Sequence, residues 1–197
     1  MSGRVRKAVL PVAGLGTRVL PGAKTTPKNM LNIVDRPILS YIVEEGRAAG
    51  IEHFVFIVGR GQGAIEDYFD ANPEIEGALE AKGKSDILAE VRRDLPKPGQ
   101  MSFVRQMAPL GLGHAVWCAR DIIGDEPFAV ILPDMLMAAD TPALAQAVTA
   151  FDQVGGNIIV VEPAPEGEAH KYGIVDLEGQ AGRLNRMRGM VEKPAPG

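Results

Sequence analysis

The chain has 197 residues, 46% hydrophobic and 23% charged, with a formal net charge of −4. That balance suits one globular domain, with room for an appendage, and excludes a global basic field for nucleic acid or anionic membrane. A single cysteine, Cys118, excludes an intramolecular disulfide and a multi-cysteine metal site, and no apolar stretch reaches the roughly 18 to 20 residues of a membrane-spanning helix. The apolar part of MSGRVRKAVLPV is too short for a secretory signal, so the expected location is cytoplasmic.

In chain order, KAVLPV at residues 7–12 reads as a buried strand opening onto a glycine-rich turn, AGLGTRVLPGAKTTPKNM at 13–30. Residues 37–49 carry Ile38, Leu39, Ile42 and Val43 at helical spacing, with Pro37 suited to the first turn and Gly50 to the stop. HFVFIV at 53–58 is a second strand, followed by a short helix over 64–69. The polar stretch 71–100, bounded by prolines, reads as a helical excursion on the surface. Residues 101–105 form a third strand, 113–123 a helix, and 128–132 (FAVIL) a fourth strand closed by Pro133 and Asp134. A helix over 141–151 has Pro142 at its first position and Asp140 or Thr141 as cap. NIIVVE at 157–162 is expected to be a fifth strand. YGIVDLEG and RLNRMRGMVEKP then read as two strands around a turn.

Short apolar runs without strict alternation, separated by helices, predict an α/β fold. Its core is a Rossmann-like, mainly parallel central sheet with helices on both faces. Ligands in such sheets sit beyond the carboxyl ends of the strands, where the glycine turn, Gly59, Gln106 and Asp134 all fall.

The turn at 13–30 matches neither GxxxxGK[ST] nor GxGxxG, since Val19 stands where the third glycine belongs. Its chemistry still suits phosphate. Gly14 and Gly16 bring backbone N–H groups close to a ligand, Arg18 can fork onto phosphate oxygens, and Lys28 adds a point charge. From spacing alone, an ordinary strand-to-helix turn with two solvated charges fits equally well.

The same stretch resembles the G-x-G-T-R-x-x-P…P-K signature of the nucleoside-diphosphate-sugar pyrophosphorylases. The match continues in order through IVDRPIL, AGI (49–51), FVRQ (103–106), GLGHAV (111–116), LPDM (132–135), YGIV (172–175) and VEKP (191–194), covering nearly the whole chain. The resemblance implies a fold of the nucleotide-diphospho-sugar transferase type, with a nucleotide-binding part over 1–135 and a sugar-phosphate part over 136–197. It implies transfer of a uridylyl group from UTP to glucose 1-phosphate with Mg²⁺, and a homo-oligomer, dimer or tetramer. A thymidylyl donor or a catalytically weak nucleotide-sugar-binding regulator are the alternatives. A dinucleotide-dependent oxidoreductase is disfavoured by the missing glycine.

Carried over position by position, the backbone of Ala13 and Gly14 would face the uracil, with Gly16 and Thr17 continuing the nucleotide loop. Gln106 would bond the base edge, and Gly111 and Gly113 would let the chain pass close to the nucleoside. Arg18 would sit on the β- and γ-phosphates and Lys28 near the reacting centre. Asp134 would hold Mg²⁺, which commonly uses one or two protein carboxylates and takes the rest from phosphate and water. Tyr172, Gly173, Glu192 and Lys193 would form the sugar-phosphate side. Outside this context Gln106 is a surface residue at a strand end, Asp134 a turn or cap residue, and Glu192 with Lys193 a solvated pair. His114 reads as positional, His53 and His170 show no metal spacing, Cys118 is a helix core residue, and Met187 and Met190 could line a pocket.

Two positions depart from the pattern: Asn29 follows Pro-Lys where an acid or glutamine is usual, and Ala23 precedes Lys24 where a threonine is common. The family also continues past VEKP with further sheet, a second metal-binding aspartate and C-terminal helices. The expectation is therefore a partial chain that binds nucleotide and turns over poorly.

Overall fold

The computed structural model describes residues 3–14, 16–179 and 182–195, with the side chain of Arg18 outside the described set. The elements in order are β1 (Lys7–Pro11), β2 (Asn32–Ile33), β3 (Arg36–Pro37), α1 (Ile38–Ala48), β4 (His53–Val58), α2 (Gly63–Phe69), α3 (Pro73–Ala81) and α4 (Ser85–Arg92). There follow β5 (Met101–Arg105), α5 (Leu112–Trp117), α6 (Arg120–Ile123), β6 (Phe128–Val130), α7 (Ala143–Val154), β7 (Gly173–Glu178) and β8 (Arg186–Glu192). Two compact units, Met1–Val148 and Thr149–Gly197, divide the chain.

In the first unit, four parallel strands stand in the order β5-β4-β1-β6. Successive side chains of a strand point to opposite faces, so one strand feeds two helical layers. Val9 of β1 and Val55 and Ile57 of β4 pack with Ala115, Ala119 and Ile123 of the α5–α6 segment. On the opposite face, Phe54 of β4 lies under Gly46 of α1, so closely that a Cβ at Gly46 would stand 2.5 Å from the Phe54 ring. Phe56 meets Phe69 of α2 at 5.3 Å and stacks on Phe103 of β5 at 5.0 Å. Helices therefore cover both faces, as the apolar runs predict.

Local sequence accounts for most boundaries. Gly50, at φ 88°, ends α1, and Ile51 N–H returns to Gly46 O at 3.0 Å. Pro37 caps α1 from an extended conformation rather than joining its first turn. The segment 113–123 is two short helices, α5 and α6, closed by Gly124 at φ 62°. Lys7 of β1 reaches the last turn of α6, donating to Ile122 O at 2.9 Å and Ile123 O at 3.3 Å while pairing with Glu126 at 3.0 Å. A cation there complements the helix C-terminus. At the start of α7, Leu144 N–H donates to Glu45 Oε1 at 3.0 Å, so a carboxylate from α1 meets the helix N-terminus.

The polar excursion folds as α3 and α4, neither with a buried residue. It is tied down at its end by Asp94, which is buried and accepts from Ser40 Oγ at 2.5 Å and Tyr68 Oη at 2.7 Å. Burial and this bond push the Tyr68 hydroxyl up to about 12.

His53 illustrates a pH consequence of the sheet. Its Nε2 lies 2.9 Å from Ser102 Oγ, and burial, then the charge of Lys7, lowers its pKa from the usual 6.5. Below pH 6.5 the unfolded chain takes a proton that the folded chain resists, so folding stability falls with pH through that region. Urea midpoints measured from pH ~7.5 to ~5.5 are expected to decline in the native chain and to decline less in His53→Gln. Parallel curves would overturn the assignment.

In the second unit β7 and β8 form an antiparallel hairpin with a register shift between Asp176 and Leu177. The fifth strand expected at 157–162 is a correction: that segment has no regular secondary structure, with Ile159, Val160 and Val161 about half exposed. A strand exists only through a hydrogen-bonded neighbour, and β7 and β8 pair with each other alone among the described strands. A second departure is the tiny β2–β3 hairpin over Asn32–Pro37, which the apolar pattern does not announce. Among the described residues no helix is long and apolar enough to cross a membrane.

Candidate active site

β1 delivers the chain to the sheet's carboxyl rim at Val12, and the following turn wraps a cavity of about 540 Å³ lined by Gly14, Gly16, Thr17, Lys28 and Asp134. Residues that sequence reasoning did not single out for a site complete the lining: Val19, Leu31, Asn32, Ile33 and Ile38. The β2–β3 hairpin contributes two of them, held by Tyr41 Oη, which donates to Ile33 O at 2.9 Å.

Gly16 adopts φ 65° as the residue before the 3₁₀ turn Thr17–Val19. A Cβ there would stand 3.0 Å from Lys28 Cβ and 3.3 Å from Ala23 Cβ. The two ends of the turn can thus approach only because this residue is glycine. Arg18 lies on that 3₁₀ turn, its side chain outside the described residues.

Lys28 and Asp134 meet directly, Nζ to Oδ2 at 2.6 Å, with side chains 22% and 46% exposed. Residues 106 apart in sequence, one from the glycine turn and one following β6, thereby form an ion pair on the cavity wall. Asn29, one residue on, is fully buried. Its Nδ2 donates to Val12 O at 3.2 Å, and Gln62 Nε2 donates to the same carbonyl at 2.9 Å. Gln62 Oε1 in turn accepts from Gly59 N–H at 2.7 Å. Two amides therefore fasten the ends of β1 and β4 together directly beneath the loop. Asn29 Oδ1 has no hydrogen-bond partner among the described residues. The position of Asn29 after Pro-Lys was the one signal in the sequence for this clamp; Gln62 carries none.

Ala13 follows at the rim, its carbonyl 3.3 Å from where a Cβ of Gly59 would stand. A second cluster lies after β5. Gln106 N–H continues the ladder to Val58 O at 2.9 Å, and its side-chain Nε2 approaches Gly111 O at 3.2 Å and His114 Nδ1 at 3.0 Å. Gly111 precedes α5 at φ 93° and ψ −179°, a region that glycine alone occupies readily. Gly113 lies in the first turn of α5, and a Cβ added there would meet nothing within 4 Å.

In the second unit Tyr172, Gly173, Glu192 and Lys193 form one cluster at the open end of the β7–β8 hairpin. Gly173 pairs with Glu192, Lys193 N–H donates to Tyr172 O at 2.9 Å, and Lys193 Nζ lies 3.5 Å from Glu192 Oε1. Lys193 has φ 48°, uncommon for a residue with a side chain. Met187 and Met190 are about half exposed on β8.

The cavity wall thus brings together two glycines of the turn, Thr17, one lysine and one carboxylate. Among the described residues no group of three or more His, Cys, Asp or Glu could hold a metal by itself. Asp134 offers a hard oxygen beside space for phosphate and water, which fits Mg²⁺ shared with a phosphate ligand rather than a dedicated metal cage.

Residues 7–196 match the nucleotidyl transferase family. The UTP–glucose-1-phosphate uridylyltransferase of Bacillus subtilis (strain 168) is 48% identical over 194 residues, which is 98% of this chain and 66% of that protein. The chain thus spans just under two thirds of that relative's length. A UTP-bound UGPase from Acinetobacter baumannii superposes with a TM-score of 0.91 at 42% identity, over 98% of this chain and 69% of that one. A UDP-glucose pyrophosphorylase complexed with UDP-glucose gives 0.80 at 36% identity, over 96% and 69%.

Proposed function

Because this chain belongs to the nucleotidyl transferase family, we propose that it is the catalytic part of a UTP–glucose-1-phosphate uridylyltransferase. The observation that carries the reading is the Lys28–Asp134 pair on the wall of the glycine-turn cavity. The reaction joins a phosphate oxygen of glucose 1-phosphate to the α-phosphorus of UTP while the bond to the β-phosphate oxygen breaks and pyrophosphate leaves. The attacking oxygen is already anionic, so no side chain is required to deprotonate it; the protein's work is neutralisation and in-line alignment.

In this reading the N–H groups around Gly14, Gly16 and Thr17 cradle the triphosphate, and Arg18 draws charge from the departing β- and γ-phosphates. Lys28 exchanges its carboxylate partner for phosphate oxygen near the reacting centre. Asp134, released from Lys28, would hold Mg²⁺, which supplies charge neutralisation when bound. Ala13, Gln106, Gly111 and Gly113 take the nucleoside. Tyr172, Gly173, Glu192 and Lys193 take the sugar phosphate, Glu192 accepting from hydroxyls and Lys193 facing the phosphate.

The test is pyrophosphate release by this chain with glucose 1-phosphate, Mg²⁺ and either UTP or dTTP. Faster initial rates with UTP are expected. Equal rates would overturn the uridylyl assignment, and UTP binding with no release from any sugar phosphate would favour a nucleotide-binding regulator.

A further inference from the structure

The side-chain amide of Gln106 can be oriented from its neighbours. Its Nε2 position lies 3.2 Å from Gly111 O and 3.0 Å from His114 Nδ1. A backbone carbonyl only accepts, so the group facing Gly111 is the NH₂; turned over, the amide would set Oε1 against a carbonyl oxygen. The same NH₂ has one further proton, and His114 Nδ1 is there to take it. Nδ1 is therefore the bare nitrogen of the ring, with the imidazole proton on Nε2. Cys118 Sγ, 4.0 Å from Nδ1, is a weak donor and a weak acceptor and fits either tautomer. The ring plane is braced by Trp117, stacked at 5.9 Å, over which the Arg120 guanidinium lies at 3.8 Å.

With both amide protons engaged, what Gln106 still offers a ligand is Oε1, and Oε1 can only accept. We infer that His114 is a positioning residue for base selection: through Nδ1 it locks Gln106 with Oε1 outward, selecting a pyrimidine that carries N–H at ring position 3. Uracil meets that requirement. Cytosine presents a lone pair at the same atom, so two acceptors would face each other. This rests on the proposed reading that Gln106 faces the base of UTP. It assigns a task to a histidine that the sequence marks only as positional.

Calorimetric titration of the full chain with UTP and with CTP tests it, in the native protein, His114→Phe and His114→Asn. Phenylalanine keeps a ring against Trp117 and removes the acceptor. Asparagine loses the ring but can place Oδ1 near the position of Nδ1. The native chain is expected to prefer UTP at least tenfold. His114→Phe should lower the UTP-to-CTP affinity ratio about fivefold, the worth of one neutral hydrogen bond. His114→Asn should restore the ratio to within about twofold of native, which a merely structural histidine would not do. A native preference that His114→Phe leaves unmoved, or a folded His114→Asn with the preference lost, overturns the inference alone. Equal binding of UTP and CTP by the native chain overturns the placement of Gln106 at the base and the inference with it.

Discussion

Replacing Asp134 by Asn is expected to strengthen metal-free UTP binding while lowering Mg²⁺-dependent turnover at least a hundredfold. The two effects oppose because Asp134 does two things. In the free protein it pairs with Lys28 at 2.6 Å and adds a negative charge to the cavity here proposed to receive the triphosphate. Removing that charge leaves Lys28 free for phosphate and removes a repulsion. At an effective dielectric near 20 two unit charges 4 Å apart interact by about 4 kcal/mol, but solvent screening of a half-exposed pair leaves about 1 kcal/mol, or about a fivefold gain in affinity. Loss of the anionic carboxylate that would hold Mg²⁺, for which the neutral amide oxygen of Asn is a weaker ligand, acts on the transition state instead, where a misplaced charge is felt far more strongly. Isothermal titration with UTP in EDTA and pyrophosphate release across a Mg²⁺ series separate the two. Weaker metal-free binding would contradict the charge argument, and unaltered turnover would remove Asp134 from the centre.

Gly16→Ala is expected to destabilise the fold by about 1–3 kcal/mol and to weaken UTP binding by at least tenfold. Its φ of 65° carries a steric penalty for any side chain, of order 1–2 kcal/mol. The added Cβ would also stand 3.0 Å from Lys28 Cβ and 3.3 Å from Ala23 Cβ, atoms at the roots of their side chains that cannot swing aside. The turn must open, and Lys28 moves with it. Gly22→Ala in the same loop is the control, because nothing lies within 4 Å of a Cβ there. Thermal melts and UTP titrations of both variants check this; equal behaviour of the two would show that the close approach at Gly16 does not matter.

Much of the fold was legible because buried parallel strands write themselves as apolar runs. KAVLP, HFVFIV and MSFVR all form where their sequence places them, and Gly50 ends α1 as a glycine past a helix should. NIIVVE failed for the complementary reason: an apolar run records a wish to be covered, whereas a strand requires a partner at hydrogen-bonding distance. The β2–β3 hairpin was hidden because two-residue strands carry no periodicity to detect. At the site, the glycine turn, Lys28 and Asp134 were visible as a motif.

By itself, then, the sequence determined the parallel α/β sheet and the chain order of β1, β4, β5 and β6 with the helices between them, through local patterning. It also placed Gly14, Gly16, Arg18 and Lys28 on one glycine-rich turn after β1, though their spacing alone fits an ordinary turn with two solvated charges as well as a phosphate loop. Only the tertiary structure decided that Lys28 closes on Asp134, that Asn29 and Gln62 share the carbonyl of Val12, and that the Gln106 amide meets His114 Nδ1. Those contacts join residues on different elements. Hydrogen bonds and ion pairs depend on distances of a few tenths of an ångström, which chain spacing does not encode and packing does.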